Sequence, residues 1–340
     1  VSKQGRATLQ IPPFVFGTSG LGNIYKAETY ANKKLIVEAC LSSSGDTAFF
    51  DTAGKYGAGL SLEVLGACLA DCRAAHSKVI ISNKLGWFRT ELVGSEPTFE
   101  PGVWKDLKYD AVQRISYQGI LECFEQGNEL LGDYNAQYVS VHDPDEYLLA
   151  AIDDSDYQKR YQDILEAYRA LMELKSLGKV EAVGIGAKDW KIIRKISREV
   201  RLDWVMIANS LTIISHPIEL IDFVSELEKN NIPVINSAIF NGGFLTGSDY
   251  YNYRLLDINV KEDMELINWR ADFYEICDQY NLLPAVVCYQ YARSFSGIKS
   301  IAMSTSKPHK VAENIAMAQH DVPKSFWQEL ADRGLICNLF

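Results

Sequence analysis

Asp51, Tyr56, Lys84 and His142 have the side chains that a proton-transfer site on a carbonyl group would use. A tyrosine phenol has a pKa near ~10, too high for easy proton exchange at neutral pH. A lysine ammonium beside it favours the phenolate and is expected to lower that pKa. Asp51 would hold Lys84 and keep it charged. His142 could donate a hydrogen bond to a substrate carbonyl oxygen. Together these are the parts of an acid–base site for interconverting a carbonyl and an alcohol. The set contains no metal-ligand spacing and no obvious acyl nucleophile. Taken singly, each residue has an ordinary alternative: a strand-end Asp as a turn residue, a structural His, a surface Lys. Their joint occurrence at the ends of consecutive strands carries the reading.

The elements that must position them follow from the hydrophobic pattern. Short β-branched and aromatic runs read as strands at 14–17, 48–51, 79–82, 138–141, 182–185, 204–207, 232–235 and 298–301. Most are continuously apolar, as parallel strands buried on both faces are. Helical patterns lie between them. Leu62, Leu65, Leu69 and Cys72 recur at helical spacing after Ser61, a candidate N-cap. Another helix runs through Ile164, Leu165, Tyr168, Leu171, Met172 and Leu174 and stops at Gly178, the left-handed residue past a helix end. Eight β-then-α units in series predict a (β/α)8 barrel, one domain over 1–340, and not two Rossmann halves. The segment Gly17-Thr18-Ser19-Gly20-Leu21-Gly22 has the wrong spacing for a dinucleotide fingerprint and reads as a flexible first βα loop.

Two stretches, 86–113 and 241–262, exceed ordinary loop lengths and follow barrel strands. They belong on the C-terminal rim, where barrel active sites lie. The first carries Trp87, Phe88, Phe99, Trp104 and Tyr109; the second carries Tyr250, Tyr251 and Tyr253. They are expected to wall a substrate pocket, with Trp87 and Trp104 as candidates for stacking on a sugar face. Self-packing of the aromatics is the alternative.

Composition bounds the rest. The chain has 340 residues, 47% hydrophobic and 23% charged, which excludes disordered, collagen-like and coiled-coil classes. Its 34 basic and 44 acidic residues leave a net charge of −10, and no Lys/Arg run supplies a nucleic-acid surface. No run reaches the ~18 apolar residues of a membrane helix. The N-terminus Val1-Ser2-Lys3-Gln4-Gly5-Arg6 shows no apolar signal region. The seven cysteines, at 40, 68, 72, 123, 277, 288 and 337, form no disulfide or zinc pattern, and Cys40, Cys68 and Cys72 read as small core filler. Reduced thiols suggest the cytoplasm. A monomer or small homo-oligomer is expected.

At these residues the sequence resembles the aldo-keto reductases, in the branch that oxidises aldoses and pyridoxal. The resemblance rests on Phe16-Gly17-Thr18-Ser19-Gly20-Leu21-Gly22-Asn23, the segment Asp51 to Ser61, Asn83-Lys84 and Val141-His142-Asp143-Pro144. It continues through Gly184 to Trp190, Phe240 to Gly247 and Glu313-Asn314, so it covers essentially the whole chain. It implies Tyr56 as general acid/base, Lys84 as tuner of its pKa, Asp51 as the partner of Lys84, and His142 as the group orienting the carbonyl. It also implies a nicotinamide cofactor, NAD or NADP, that exchanges a hydride with a small carbonyl or sugar. Gly17 and Thr18 would lie near it, with Lys188 and Asn209 at the nicotinamide. Ser237, Ile239, Asn241 and Gly242 would line the pyrophosphate. Ser304, Thr305, Ser306, Lys307, Lys310, Glu313 and Asn314 would hold the adenosine end.

The chain departs from the family pattern in four places. Leu62 replaces a usual Glu, with Glu63 one place on; Gly186-Ala187-Lys188 replaces a Ser-Asn pair; Asn209 stands where many members carry Gln; and Met303-Ser304 replaces Pro-Gly. Lys307, His309 and Lys310 supply the cations near the adenosine ribose, and no Arg does. Lys310 matches a position often basic in NADP-using members, while the branch leans toward NAD. A non-catalytic nicotinamide-binding sensor or auxiliary subunit is the alternative function. A glycosidase-like barrel would need paired carboxylates, for which Asp51 and Asp143 are the only candidates.

Overall fold

The computed structural model describes residues 9–252 and 254–337; the N-terminal hexapeptide and Tyr253 lie outside them. In chain order the strands are β1 (Phe14–Gly17), β2 (Ala48–Ala53), β3 (Val79–Leu85), β4 (Trp87–Glu91), β5 (Tyr109–Gln113) and β6 (Tyr138–His142). They continue with β7 (Ala182–Ala187), β8 (Trp204–Ala208), β9 (Val234–Ser237), β10 (Tyr250–Tyr251), β11 (Arg254–Leu255) and β12 (Ile298–Ser304). Eight of them close a parallel barrel in the order β1-β12-β9-β8-β7-β6-β3-β2, so the predicted (β/α)8 fold is present. Helices such as Tyr30–Ser43, Leu60–Asp71, Tyr117–Leu131, Asp154–Ser176 and Ile218–Lys229 form the outer ring.

The strands are apolar on both faces because each face meets a different core. Val15, Phe49, Tyr138, Ala182, Trp204, Met206, Ile235 and Ala302 fill the barrel interior, with Leu9 and Ile11 packed beneath them. Gly184 on β7 admits the large indole: a Cβ there would stand 2.2 Å from the Trp204 ring. The outward residues, among them Val139, Val183 and Ile207, pack with Leu62, Leu65, Leu69, Ile164 and Leu171 of the helices. Cys40 and Cys68 belong to this core, and Cys72 is half-buried beside it. The helix Asp154–Ser176 ends as expected, with Gly178 at φ +69°.

Four expectations change. The strand expected at 232–235 begins at Val234, because Pro233 has no N–H for the ladder; its carbonyl accepts instead from Val205 N at 3.1 Å. Ser61 does not cap its helix. Gly57, Ala58 and Gly59 are all left-handed, the helix starts at Leu60, and the Ser61 side chain turns inward. The first βα segment is not an open, flexible loop: Ser19–Gly22 forms a 3₁₀ turn in which Gly20, Leu21 and Gly22 are buried. The long stretches are only partly irregular. The first contains the β4–β5 hairpin, and the second contains a 3₁₀ segment, Asn241–Thr246, and the small β10–β11 hairpin. No helix among the described residues is long and apolar enough to cross a membrane.

Candidate active site

Register brings the four reactive groups together. Gly17 on β1 pairs with Asp51 on β2, Ala53 on β2 pairs with Lys84 on β3, Lys84 pairs with Ser140 on β6, and His142 pairs with Gly186 on β7. Asp51, Lys84 and His142 thus end three neighbouring strands at one rim. Tyr56 reaches the same place from the turn after β2. Gly22 and Gly57 hold that turn against the first βα segment. A Cβ on Gly57 would lie 2.3 Å from the Gly22 carbonyl oxygen, and one on Gly22 would lie 2.8 Å from the Tyr56 carbonyl. Ser61 Oγ fastens the seam from below, 2.8 Å from Thr18 O and 3.1 Å from Thr52 Oγ1.

All four side chains line one cavity of about 540 Å³. Lys84 Nζ is ion-paired with Asp51 Oδ2, donates to the Thr52 carbonyl at 3.4 Å and stands 4.8 Å from the centre of the Tyr56 ring. The Tyr56 and His142 rings meet edge to face, with centroids 5.6 Å apart. Burial opposes the Lys84 charge, but Asp51 and then Tyr56 outweigh it and hold its pKa above the ordinary lysine value. Burial pushes the Asp51 carboxyl up while Lys84 pulls it down. We take the ion pair as formed, because both partners are buried and in direct contact.

Tyr56 departs from expectation. Burial raises its pKa, and the opposing pull of Lys84 does not reverse the shift. The phenol is therefore a proton donor at neutral pH. Burial, then Lys84 and Lys55, push the His142 pKa well below the ordinary histidine value, so its ring is neutral and carries a single N–H able to donate.

The remaining expected site residues fall into distinct groups. Gly17, Lys188, Ser237, Ile239, Gly242 and Ser304 line the cavity. Thr18 lies beneath the wall: its N–H and hydroxyl both donate to the Asp51 carbonyl, at 3.1 and 3.0 Å. Asn241 is also a support, donating to Asn252 Oδ1 at 3.0 Å. Asn209 borders an adjoining hollow. Thr305, Ser306, Lys307, Lys310, Glu313 and Asn314 continue past Ser304 and do not line the cavity. There Asn32 Nδ2 donates to the Ser306 carbonyl at 3.1 Å, and Lys310 pairs with Glu313 at 2.6 Å.

Of the two tryptophans, Trp104 is in the wall. Its ring lies 5.8 Å from that of Tyr56, and its indole N–H donates to Glu100 at 2.7 Å. Trp87 is not in the wall; it packs on Phe99, with centroids 5.5 Å apart. The expected walling and the alternative of self-packing both occur, in different residues. The wall is closed by main-chain bonds between loops: Tyr25 N donates to Val103 O at 2.7 Å and Lys105 N to Asn23 O at 3.1 Å.

Sequence reasoning assigned no role to Lys55, Glu100 and Glu146, and weighed Asp143 only as a carboxylate of the glycosidase-like alternative. All four line the cavity. Lys55 Nζ lies 2.7 Å from Glu100 and 3.1 Å from Glu146, and its side chain is only 5% exposed. Burial opposes its charge, but Asp143, Glu100 and Glu146 outweigh it and raise its pKa. The one available signal was a lysine next to Tyr56 in a segment otherwise made of small residues. Among the described residues no group of three or more His, Cys, Asp or Glu side chains is arranged to hold a metal ion.

Two curated proteins are similar over nearly the whole chain. A pyridoxal 4-dehydrogenase from Microbacterium luteolum is 25% identical over 98% of this chain and 96% of its own. A D-threo-aldose 1-dehydrogenase from a Pseudomonas species is 25% identical over 97% and 96%. Among solved structures, a glycerol dehydrogenase from Gluconobacter oxydans superposes with a TM-score of 0.69 at 18% identity, covering 96% of this chain and 93% of that one. An aldo-keto reductase from Bacillus halodurans in its holo form gives 0.68 at 18%, covering 95% and 92%. These structural likenesses bear on the fold. The sequence matches the aldo/keto reductase family over residues 13–333, and the chain belongs to that family.

Proposed function

We propose that the protein is an NAD(P)-dependent oxidoreductase that interconverts a small polar carbonyl compound, of the sugar type, with its alcohol. The observation that carries this reading is the buried cluster in which Tyr56 shares one cavity with the Lys84–Asp51 pair and His142. The names of the two similar dehydrogenases, one for an aldose and one for pyridoxal, agree with it.

The cavity suits a nicotinamide group. Gly17 and Gly186 keep the trough clear: added Cβ atoms would stand 3.2 Å from Ser304 Cβ and 3.4 Å from Lys84 Cδ. In the adjoining hollow, Asn209 Oδ1 is buried without a hydrogen-bond partner, an acceptor open to a carboxamide N–H reaching it from the cavity. Gly17 would lie against the nicotinamide, Ser237 and Ile239 against the pyrophosphate and Ser304 toward the adenosine end of the cofactor, which when bound supplies or takes the hydride. The chain's own residues do the rest. In reduction, Tyr56 Oη gives its proton to the carbonyl oxygen as the carbon gains the hydride. Lys84 stabilises the phenolate left behind, and Asp51 holds Lys84 in place. In oxidation Tyr56 takes the alcohol proton back. Neutral His142 donates to the carbonyl oxygen, and Trp104 screens the site from water.

The test follows absorbance at 340 nm with NAD⁺, NADP⁺ and their reduced forms against a panel of aldoses, small aldehydes and alcohols, L-fucose first. Turnover with at least one of them is expected; none with either cofactor overturns the reading. Tyr56→Phe should lower kcat by about 10²- to 10⁴-fold, the usual worth of a general acid. Cofactor binding, followed by protein fluorescence, should remain within about twofold. A variant that keeps most of the wild-type kcat removes Tyr56 from the role.

A further inference from the structure

Resting on the oxidoreductase reading, a second set of charges in the same cavity bears on the substrate. Lys55 and Lys188 face Glu100, Asp143 and Glu146. The direct bonds are shared unevenly. Lys55 bonds Glu100 at 2.7 Å and Glu146 at 3.1 Å, and Lys188 bonds Glu146. Asp143 Oδ2 stands apart, 3.6 Å from Lys55 Nζ, 3.6 Å from His142 Nε2 and 3.8 Å from Lys188 Nζ. Those distances exceed the ~3.2 Å reach of a good hydrogen bond. The carboxylate is thus faced by two ammonium groups, lines the cavity, and accepts no hydrogen bond from these three neighbours.

The backbone gives this placement its direction. Asp143 has φ 44° and ψ 56°, a left-handed conformation uncommon outside glycine. Pro144 opens a helix directly after it, and the Asp143 N–H donates to the Gly186 carbonyl at 3.2 Å. The neighbouring carboxylate, Asp145, accepts from the N–H groups of Lys188 and Asp189 at 3.0 and 2.7 Å and so serves the loop. Asp143 has no such duty.

Geometry and charge point to one substrate class. A carbonyl oxygen accepting from His142 Nε2 brings the group on the next carbon toward Asp143. Two lysines against three carboxylates leave this wall one negative charge in excess, since Lys84 and Asp51 cancel. An added anion would be repelled; a neutral hydroxyl would find an acceptor. We propose that Asp143 selects the substrate: its carboxylate accepts the hydroxyl on the carbon next to the reacting carbonyl, so that neutral 2-hydroxy aldehydes and sugars are preferred over deoxy and anionic counterparts.

The test compares substrates that differ by one group: glycolaldehyde with acetaldehyde, and glyceraldehyde with propionaldehyde and with glyceraldehyde 3-phosphate. The wild type should favour the neutral hydroxylated member of each pair by about 10- to 100-fold in kcat/KM, mostly through KM. Asp143→Asn, which tolerates the left-handed backbone, should cut the preference over the deoxy member at least fivefold and relax the exclusion of the phosphate. Asp143→Glu should cut the first and keep the second. No turnover of any aldehyde would defeat the oxidoreductase reading and this inference with it. Turnover of both members without preference in the wild type would overturn this inference alone, whether or not the variants fold. An equal loss on both members in Asp143→Asn, confined to kcat, would make Asp143 a partner of His142 only and overturn it as well.

Discussion

Two of the chain's lysine–carboxylate pairs, one inside the cavity and one at the expected adenosine end, live in opposite surroundings. Lys84 and Asp51 have side chains only 6% and 5% exposed, at the junction of three barrel strands. Lys310 and Glu313 are 47% and 52% exposed, three residues apart on the helix Pro308–Ala316. The residue types are alike and the physics is not. In the first pair water is excluded, so each charge depends on the other and on Tyr56. In the second pair water screens both charges and each is free to exchange partners. The first pair is suited to holding a reactive group in one protonation state. The second is suited to meeting a charged ligand that arrives from solvent.

The largest effect that could break this contrast is expected for Lys84→Met. Activity should fall by about 10²-fold or more, and the uncompensated Asp51 should cost about 3–5 kcal/mol of stability, read from urea denaturation. Adding Asp51→Leu should restore much of the stability and none of the activity. If activity returned with stability, the pair would be structural only.

A pH profile sharpens the same end of the comparison. Because the Tyr56 pKa is raised by burial, the phenol keeps its proton through neutral pH. The rate of carbonyl reduction should therefore stay level there and fall only on the alkaline side. Oxidation, which needs the phenolate, should climb as pH rises. Lys84→Met removes the opposing pull, so its residual reduction should hold to still higher pH. A reduction rate that declines below pH 7 would contradict the assignment of Tyr56 as the acid.

The exposed pair should give the smallest response. Lys310→Met should leave the urea midpoint within error. It should lower kcat/KM for NADP(H) by about tenfold, the worth of one charge-assisted hydrogen bond to a 2′-phosphate, and for NAD(H) by less than about threefold. A measurable loss of stability would show that the two pairs are not so different.

Much of this was readable from the chain because it is local. Runs such as Ala48-Phe49-Phe50 and Tyr138-Val139-Ser140-Val141 are apolar on both faces, and Gly178 marks a helix end by its own conformational freedom. Strand order and the rim position of Asp51, Lys84 and His142 follow from eight repeating units. Where local cues competed with packing they misled. Ser61 has the chemistry of an N-cap, but the left-handed run Gly57-Ala58-Gly59 starts the helix ahead of it. Trp87 and Trp104 are the same residue type in one long stretch after β3, and only the fold of the β4–β5 hairpin turns Trp104 into the cavity wall and Trp87 onto Phe99.

Residue types and their order predicted the barrel and the gathering of Asp51, Tyr56, Lys84 and His142 at one rim, since periodicity and strand-end position are properties of the chain alone; the motifs around those residues carried the family resemblance. Whether burial or Lys84 governs the Tyr56 proton, and which carboxylates answer Lys55, were settled only by folding. Desolvation and the meeting of Glu100, Asp143 and Glu146 around one ammonium depend on segments brought together from β2, the loop after β4 and the end of β6. No stretch of sequence contains that information by itself.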